Sequence, residues 1–237
     1  EMSASELVEK LVSKHARIDS EILADDSRMK NELTADHFEL INIAQNKIGS
    51  LKLHIDDSGK RKHSQIRNKI KLLVQEKGVK VVFIDYLQLL TPDKRYSSTR
   101  ESINEITAGL KALAQELKIE IILLSQLTRE ATKRNQATHD GKAPQISRPQ
   151  LTDLKESGNI ENDSNVVLMV YRPEYYGIEQ DEQGRSTEDV CEVLVRKNRG
   201  GKINQKILFT FQPQYNGFYS YENVAPQMTR YNKSAGF

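Results

Sequence analysis

A chain of 237 residues with 37% hydrophobic content suffices for one substantial α/β core. Its net charge of +2 excludes a globally basic nucleic-acid binder, so any such surface is a local patch made by the fold. The single cysteine, Cys191, excludes an intramolecular disulfide framework, the apolar runs are too short to span a bilayer, and no basic segment followed by an apolar one opens the chain; a reducing cytoplasm is the predicted compartment.

Ser3 followed by Glu6 is a capping-box pattern, and Leu7, Leu11 and Val12 behind it continue an apolar helical face. After a polar stretch, Thr34 is placed to cap a helix with Phe38, Ile41 and Ile48 on one side and Gly49 at its end. "LKLHI" (51–55) alternates as a short strand does. A helix from Ser64 to Lys77 turns Ile66, Ile70, Leu73 and Val74 inward and stops at Gly78; the basic cluster at 60–71 is mainly its solvated face. "KVVFIDYLQLL" (80–90) is an apolar strand ending on Asp85. From Thr99 to Lys118 the residues Ile103, Ile106, Leu110, Leu113 and Leu117 repeat at helical spacing and lead into the strand "IEIILL" (119–124). Two unbroken apolar strands joined by such a helix predict a parallel sheet covered on both faces, with a right-handed crossover. Residues 130–150 have almost no apolar content and predict a mobile loop. Further strands are predicted at 165–171, 190–196 and 205–211, the last two as an antiparallel hairpin. Residues 219–237 read as a flexible tail.

In parallel sheets the carboxyl ends of the strands form the ligand crevice. Asp85 sits at one such end, where a carboxylate holds Mg²⁺ beside nucleotide phosphates, or simply caps a turn. Ser125 and Gln126 end the next strand, where an amide senses a γ-phosphate or orients water. Cys191 falls in a strand and reads as a small buried hydrophobe, and the five histidines show no metal-ligand spacing.

"FIDYLQLL", "EITAGLKALAQEL", "ILLSQLTR", "LTDLKESGNIENDSNVVLMVYRPEYY" and "VRKNRGG" come in an order and spacing that resemble the RecA-like motor domain of DnaB-type replicative helicases, from Glu1 to about residue 211. The resemblance implies an α/β, RecA-like core, with a mainly parallel central sheet flanked by helices and a C-terminal antiparallel hairpin. It implies a motor domain over 1–215 and a tail over 216–237. It also implies a catalytic base at Glu1, in "EMS" where the family has the end of "SLEM", a Mg²⁺ carboxylate at Asp85, and a γ-phosphate sensor at Gln126. Lys197 and Arg199 correspond to the family's lysine and arginine finger, which act on the neighbouring subunit's nucleotide. Lys155, Glu156 and Gly158 correspond to the loop that holds single-stranded DNA in the channel of a homo-hexamer, with lysine where arginine is common. Two roles are open to Arg172, which matches a family arginine near the nucleotide but lies in an aromatic corner, "YRPEYY".

The implied function is ATP- and Mg²⁺-dependent translocation on single-stranded DNA and duplex unwinding at the replication fork, with primase and a helicase loader as partners. A RecA-like recombinase-type ATPase and a non-catalytic module that docks on an intact helicase are the alternatives. The family's phosphate loop, G-x-x-x-x-G-K-[ST], occurs nowhere in the sequence, so these residues alone are expected to be ATPase-deficient. The family's "RNGPxG" is "RGGKIN" here, which alters the tip of the finger hairpin and keeps its two cations.

Overall fold

A computed structural model describes residues 2–134, 146–154 and 157–221, without the side chain of Ser157. The chain divides into two compact units, one from Glu1–Asp57, Glu188–Cys191 and Leu208–Phe237 and the other from Ser58–Thr187 and Glu192–Ile207. No helix among the described residues is long and apolar enough to cross a membrane.

The first unit opens with α1 (Ala4–Ala16), whose capping box is formed: Glu6 N–H donates to Ser3 Oγ at 3.2 Å and Ser3 N–H to Glu6 Oε2 at 2.6 Å. The polar stretch that follows is helical, as α2 (Ser20–Leu23) and α3 (Asp26–Glu32), each started by an aspartate, Asp19 and Asp25, that accepts from the first-turn N–H groups. Helix α4 (Ala35–Gly49) is capped by Thr34 as its sequence predicts. Val12, Ala16 and Ile18 meet Ile41, Ala44 and Ile48 in a small core. "LKLHI" is not a strand: Leu51 and Leu53 are about half exposed, and alternation alone does not hold a strand without a partner edge.

The second unit carries the larger core. Helix α5 (His63–Lys77) ends on Gly78, whose φ of 67° is the left-handed conformation that glycine adopts without a Cβ penalty. Strand β1 (Val81–Ile84) follows, then α6 (Thr99–Leu117), β2 (Glu120–Leu123) and the short α7 (Arg129–Lys133). β1 and β2 are parallel, with Ile84 opposite Leu123, so the predicted strand–helix–strand unit is present. Ile66, Ile70 and Val74 of α5 and Ile103, Ile106, Leu110 and Leu113 of α6 pack with Val82, Ile84, Ile121 and Leu123. Phe83 and Ile122, opposite each other in register, point away and are 68% and 45% exposed, so among the described residues only one face of this pair is covered. Leu113 is wholly buried at the centre of the core, and Leu113→Ala is expected to cost about 2–5 kcal/mol in urea denaturation.

After α8 (Ser157–Asp163) the chain enters β3 (Val166–Tyr171), then β4 (Val190–Asn198), β5 (Gln205–Gln212) and β6 (Gly217–Ser220). These form a sheet in the order β3-β4-β5-β6. The predicted β4/β5 neighbours are present. β3, predicted as a strand without a named partner, pairs antiparallel with β4 and alternates exposed and buried residues as a one-sided strand does. β6 has no counterpart in the sequence prediction; it pairs antiparallel with β5 through Phe209–Gln212 and begins at Gly217. Cys191 is buried, as predicted, and is in no disulfide. The predicted mobile loop at 130–150 and the tail at 219–237 lie largely outside the described residues.

A network around the buried carboxylate of Glu192 lies in the second unit. Arg148 donates to both oxygens of Glu192, Nη2 reaching Oε1 at 2.8 Å, and also to Glu182, while Lys206 adds a contact of 3.2 Å to Glu192. Glu192 is buried. Its hydrogen bonds and those of Glu182 drive the Arg148 guanidinium's pKa upward, and the same guanidinium holds the Glu182 carboxyl down at about 2.

Candidate functional site

β1 and β2 run in register, so Asp85 and the Ser125–Gln126 pair leave the sheet at one rim. Leu124 N–H donates to Ile84 O at 3.0 Å, and Leu87 N–H to Leu124 O at 2.9 Å, so the two strand ends stay hydrogen-bonded past the last sheet residues. Asp85 and Gln126 are exposed. Gln88, to which sequence spacing assigns no role, ties the rim together: its Nε2 donates to Ser125 Oγ at 3.1 Å, and its Oε1 lies 3.5 Å from Gln126 N. The signal for it is an amide on the polar side of the turn that follows Asp85. The rim thus carries a carboxylate, a hydroxyl and amide oxygens, hard-oxygen donors of the kind Mg²⁺ takes.

Directly beyond the rim the chain meets the candidate DNA segment. Leu127 forms an antiparallel bridge with Leu154, and Thr128 N–H donates to Asp153 O at 2.8 Å. Gln126 is thereby one residue from a backbone pairing whose other side is one residue from Lys155. Asp153 is buried, accepts from Gln150 N–H at 2.7 Å and pairs with Arg134. Glu1, Lys155 and Glu156 themselves lie outside the described residues. Gly158 lies in α8, and a Cβ there would stand 3.2 Å from Arg100 Nη2, which places a cation from the start of α6 against this segment.

The two candidate finger residues turn toward α8. Lys197 Nζ donates to Glu161 O, and Arg199 Nη2 to Asn162 O at 2.7 Å. Lys111 Nζ donates to Asp163 O at 2.6 Å, and Ser164 Oγ to Ile160 O at 2.6 Å. The last carbonyls of a helix have no partner within it and carry partial negative charge, so three cations and a hydroxyl satisfy this terminus. Asp163 accepts from Thr107 Oγ1 at 2.5 Å. The structure thus brings Lys197 and Arg199 together with α8, not with Asp85. Arg172 follows β3, 3.9 Å from Glu174. Around it Tyr171 stacks on Tyr176 with ring centroids 5.7 Å apart, and Tyr175 meets Tyr176 edge-on at 5.2 Å, so the aromatic packing corner is present. Burial pushes the Tyr171 hydroxyl up to about 12.

A parallel strand pair with acid and amide at one rim, followed by an antiparallel ribbon, is the architecture of a RecA-like helicase ATPase domain. Two solved structures share it. One is an ATPase domain, with a TM-score of 0.77 and 26% identity over 93% of this chain and 72% of that one. The other is a DnaB-like replicative helicase studied for its interactions with primase, with a TM-score of 0.78 and 27% identity over 93% of this chain and 48% of that one. The chain belongs to the DnaB-like helicase C terminal domain family, whose model matches residues 1–220. It is 31% identical over 223 residues to the replicative DNA helicase DnaB of Geobacillus stearothermophilus and 36% identical over 225 residues to a probable replicative DNA helicase of Trieres chinensis. These matches take in 94% and 93% of this chain but only 44% and 45% of those proteins, so the chain spans under half the length of these relatives.

Proposed function

We propose that this chain is the motor segment, residues 1–215 with a tail at 216–237, of an ATP-dependent replicative DNA helicase that encircles single-stranded DNA as a homo-hexamer and unwinds duplex DNA in the cytoplasmic replisome. The observation that carries this is the backbone pairing of Leu127–Thr128 with Asp153–Leu154, which joins the Asp85–Gln126 rim to the segment of Lys155, Glu156 and Gly158. A shift at the rim is passed by main-chain hydrogen bonds to the DNA segment, as a two-state coupling requires.

In this scheme Asp85 holds Mg²⁺, which neutralises phosphate charge when bound. Glu1 polarises the attacking water, Gln126 registers the γ-phosphate, and Arg172, just after β3, contacts the nucleotide. Lys197 and Arg199 leave the carbonyls of α8 and reach the neighbouring subunit's nucleotide. The phosphate-cradling loop is not among the 237 residues, so the ATP phosphates are held by a segment of the parent helicase outside them. Lys155 and the backbone around Gly158, with Arg100 beside it, grip successive DNA phosphates, which gives low sequence preference and steep salt dependence. Primase and a loader are the expected partners, in line with the DnaB-like relative studied with primase.

Thr128→Pro tests the coupling. Thr128 already has a φ of −65°, the value proline imposes, so its own backbone conformation is kept, while the ring removes the N–H bonded to Asp153 and its Cδ pushes the two segments apart at that point. In the parent helicase, stimulation of ATP hydrolysis by single-stranded DNA is expected to fall by about fivefold, the equivalent of one hydrogen bond, with hydrolysis in the absence of DNA retained. Unchanged stimulation refutes the coupling. Failure of the parental protein to displace a strand in an ATP-dependent assay refutes the helicase function itself and favours the recombinase-type or docking alternatives.

A further inference from the structure

Away from the rim, three side chains from distant parts of the second unit converge. His63 starts α5, Asp93 lies on the segment between β1 and α6, and Glu105 is in the second turn of α6. We propose that His63, Asp93 and Glu105 form a binding site for a divalent transition-metal ion, Zn²⁺ by their donor set, which pins the segment after the Asp85 strand to α5 and α6. The site uses none of the rim residues and stands or falls independently of the nucleotide scheme.

One donor atom from each residue lies within 4.8 Å of the others. His63 is 2% exposed, and its Nε2 is buried without a hydrogen-bond partner among the described residues; Glu105 Oε2 is in the same position. Two buried polar atoms left unbonded on residues that converge cost free energy that a shared cation removes. The imidazole also has a place made for it. A Cβ on Gly109 would fall on the ring, 2.9 Å from Nε2 and nearer still to Cε1, so the absence of a side chain there lets His63 lie against α6 one turn from Glu105.

The carboxylates are held as metal ligands usually are, by a second layer of hydrogen bonds. Asp93 accepts from Ser64 N–H at 3.1 Å and from Ser64 Oγ at 2.5 Å, and Glu105 is bonded by the Tyr96 hydroxyl. Burial lowers the pKa of the imidazole and favours its neutral, ligating form. A neutral imidazole and two carboxylates sum to −2, which a dication cancels. One nitrogen with two oxygens suits Zn²⁺ better than Mg²⁺ or Ca²⁺, which prefer all-oxygen shells, and leaves a fourth position for water. Asp93 is exposed and supplies the entry path. The competing arrangement neutralises the carboxylates with nearby Lys62 and Arg67 and takes up no metal.

Calorimetric titration of the chelator-stripped 237-residue chain with Zn²⁺ decides between them. One Zn²⁺ per chain is expected, with a raised melting temperature and, on loading with Co²⁺ instead, visible d–d bands. Asp93→Asn and Glu105→Gln each weaken Zn²⁺ binding by at least about tenfold, and His63→Gln removes the Co²⁺ bands. The two carboxylate variants keep the test decisive if the buried histidine variant fails to fold. Absence of binding, or binding unchanged in both carboxylate variants, overturns the site.

Discussion

If Arg199 is the arginine finger proposed above, Arg199→Ala is expected to lower kcat for ATP hydrolysis by about 10³–10⁵ in the proposed ring, the range that removal of such a finger produces. The physical reason is that phosphoryl transfer spreads charge over the γ-phosphate oxygens, and a planar guanidinium supplied at that moment stabilises charge that is absent from the ground state. KM for ATP changes little, because the cation acts on the transition state. In the single chain Arg199 donates to Asn162 O and Lys197 to Glu161 O, so reaching a neighbour exchanges helix-capping bonds for bonds to phosphate. Single-turnover hydrolysis measures the loss. Mixed rings test whether the residue acts in trans: Arg199→Ala subunits combined with Asp85→Asn subunits regain activity, since some interfaces then pair an intact Asp85 with an intact Arg199. No recovery on mixing, together with a loss of folding stability equal to the loss of activity, would mean that Arg199 serves only to cap α8.

Arg148→Met destabilises the chain by about 3–5 kcal/mol, the cost of stranding one member of a buried ion pair. Glu192 has a side chain only 3% exposed, and once the bidentate guanidinium is gone the cation left against it among the described residues is Lys206, at 3.2 Å. Urea denaturation at neutral pH measures the loss. The same arginine predicts a pH effect of definite sign. Glu182 has its pKa depressed from 4.5 to about 2 by Arg148, so its contribution is complete above about pH 4.5 and is lost as pH falls toward 2. Glu182 is 45% exposed, which screens the pair and limits this contribution to under about 1 kcal/mol. In Arg148→Met this acid-dependent step disappears, whereas Glu182→Gln removes the step and leaves most of the neutral-pH stability in place.

The local elements were legible because each is specified by neighbours in sequence. Ser3 with Glu6, Thr34 at the start of α4, Gly78 at the end of α5 and the apolar spacing from Ile103 to Leu117 fix helices through caps and periodicity. Strands were less legible. "LKLHI" has the alternation of a strand and no partner, and β6 has a partner in β5 although its residues read as tail. Strand formation is settled by a second segment that sequence pattern does not name. The site divides the same way. Asp85 and Gln126 end apolar strands and so announced the rim, while Gln88, which bridges it, has no signature beyond being polar.

By itself, the sequence determined the strand–helix–strand unit, the acid and amide at its strand ends and the kinship with DnaB-type motors, since these depend on order, spacing and local chemistry. Only the tertiary structure decided that Leu127 pairs with Leu154, that Lys197 and Arg199 cap α8, and that His63, Asp93 and Glu105 meet over Gly109. Those contacts join residues tens of positions apart, and their partners are chosen by packing and by the need to satisfy buried polar atoms, which no local pattern records.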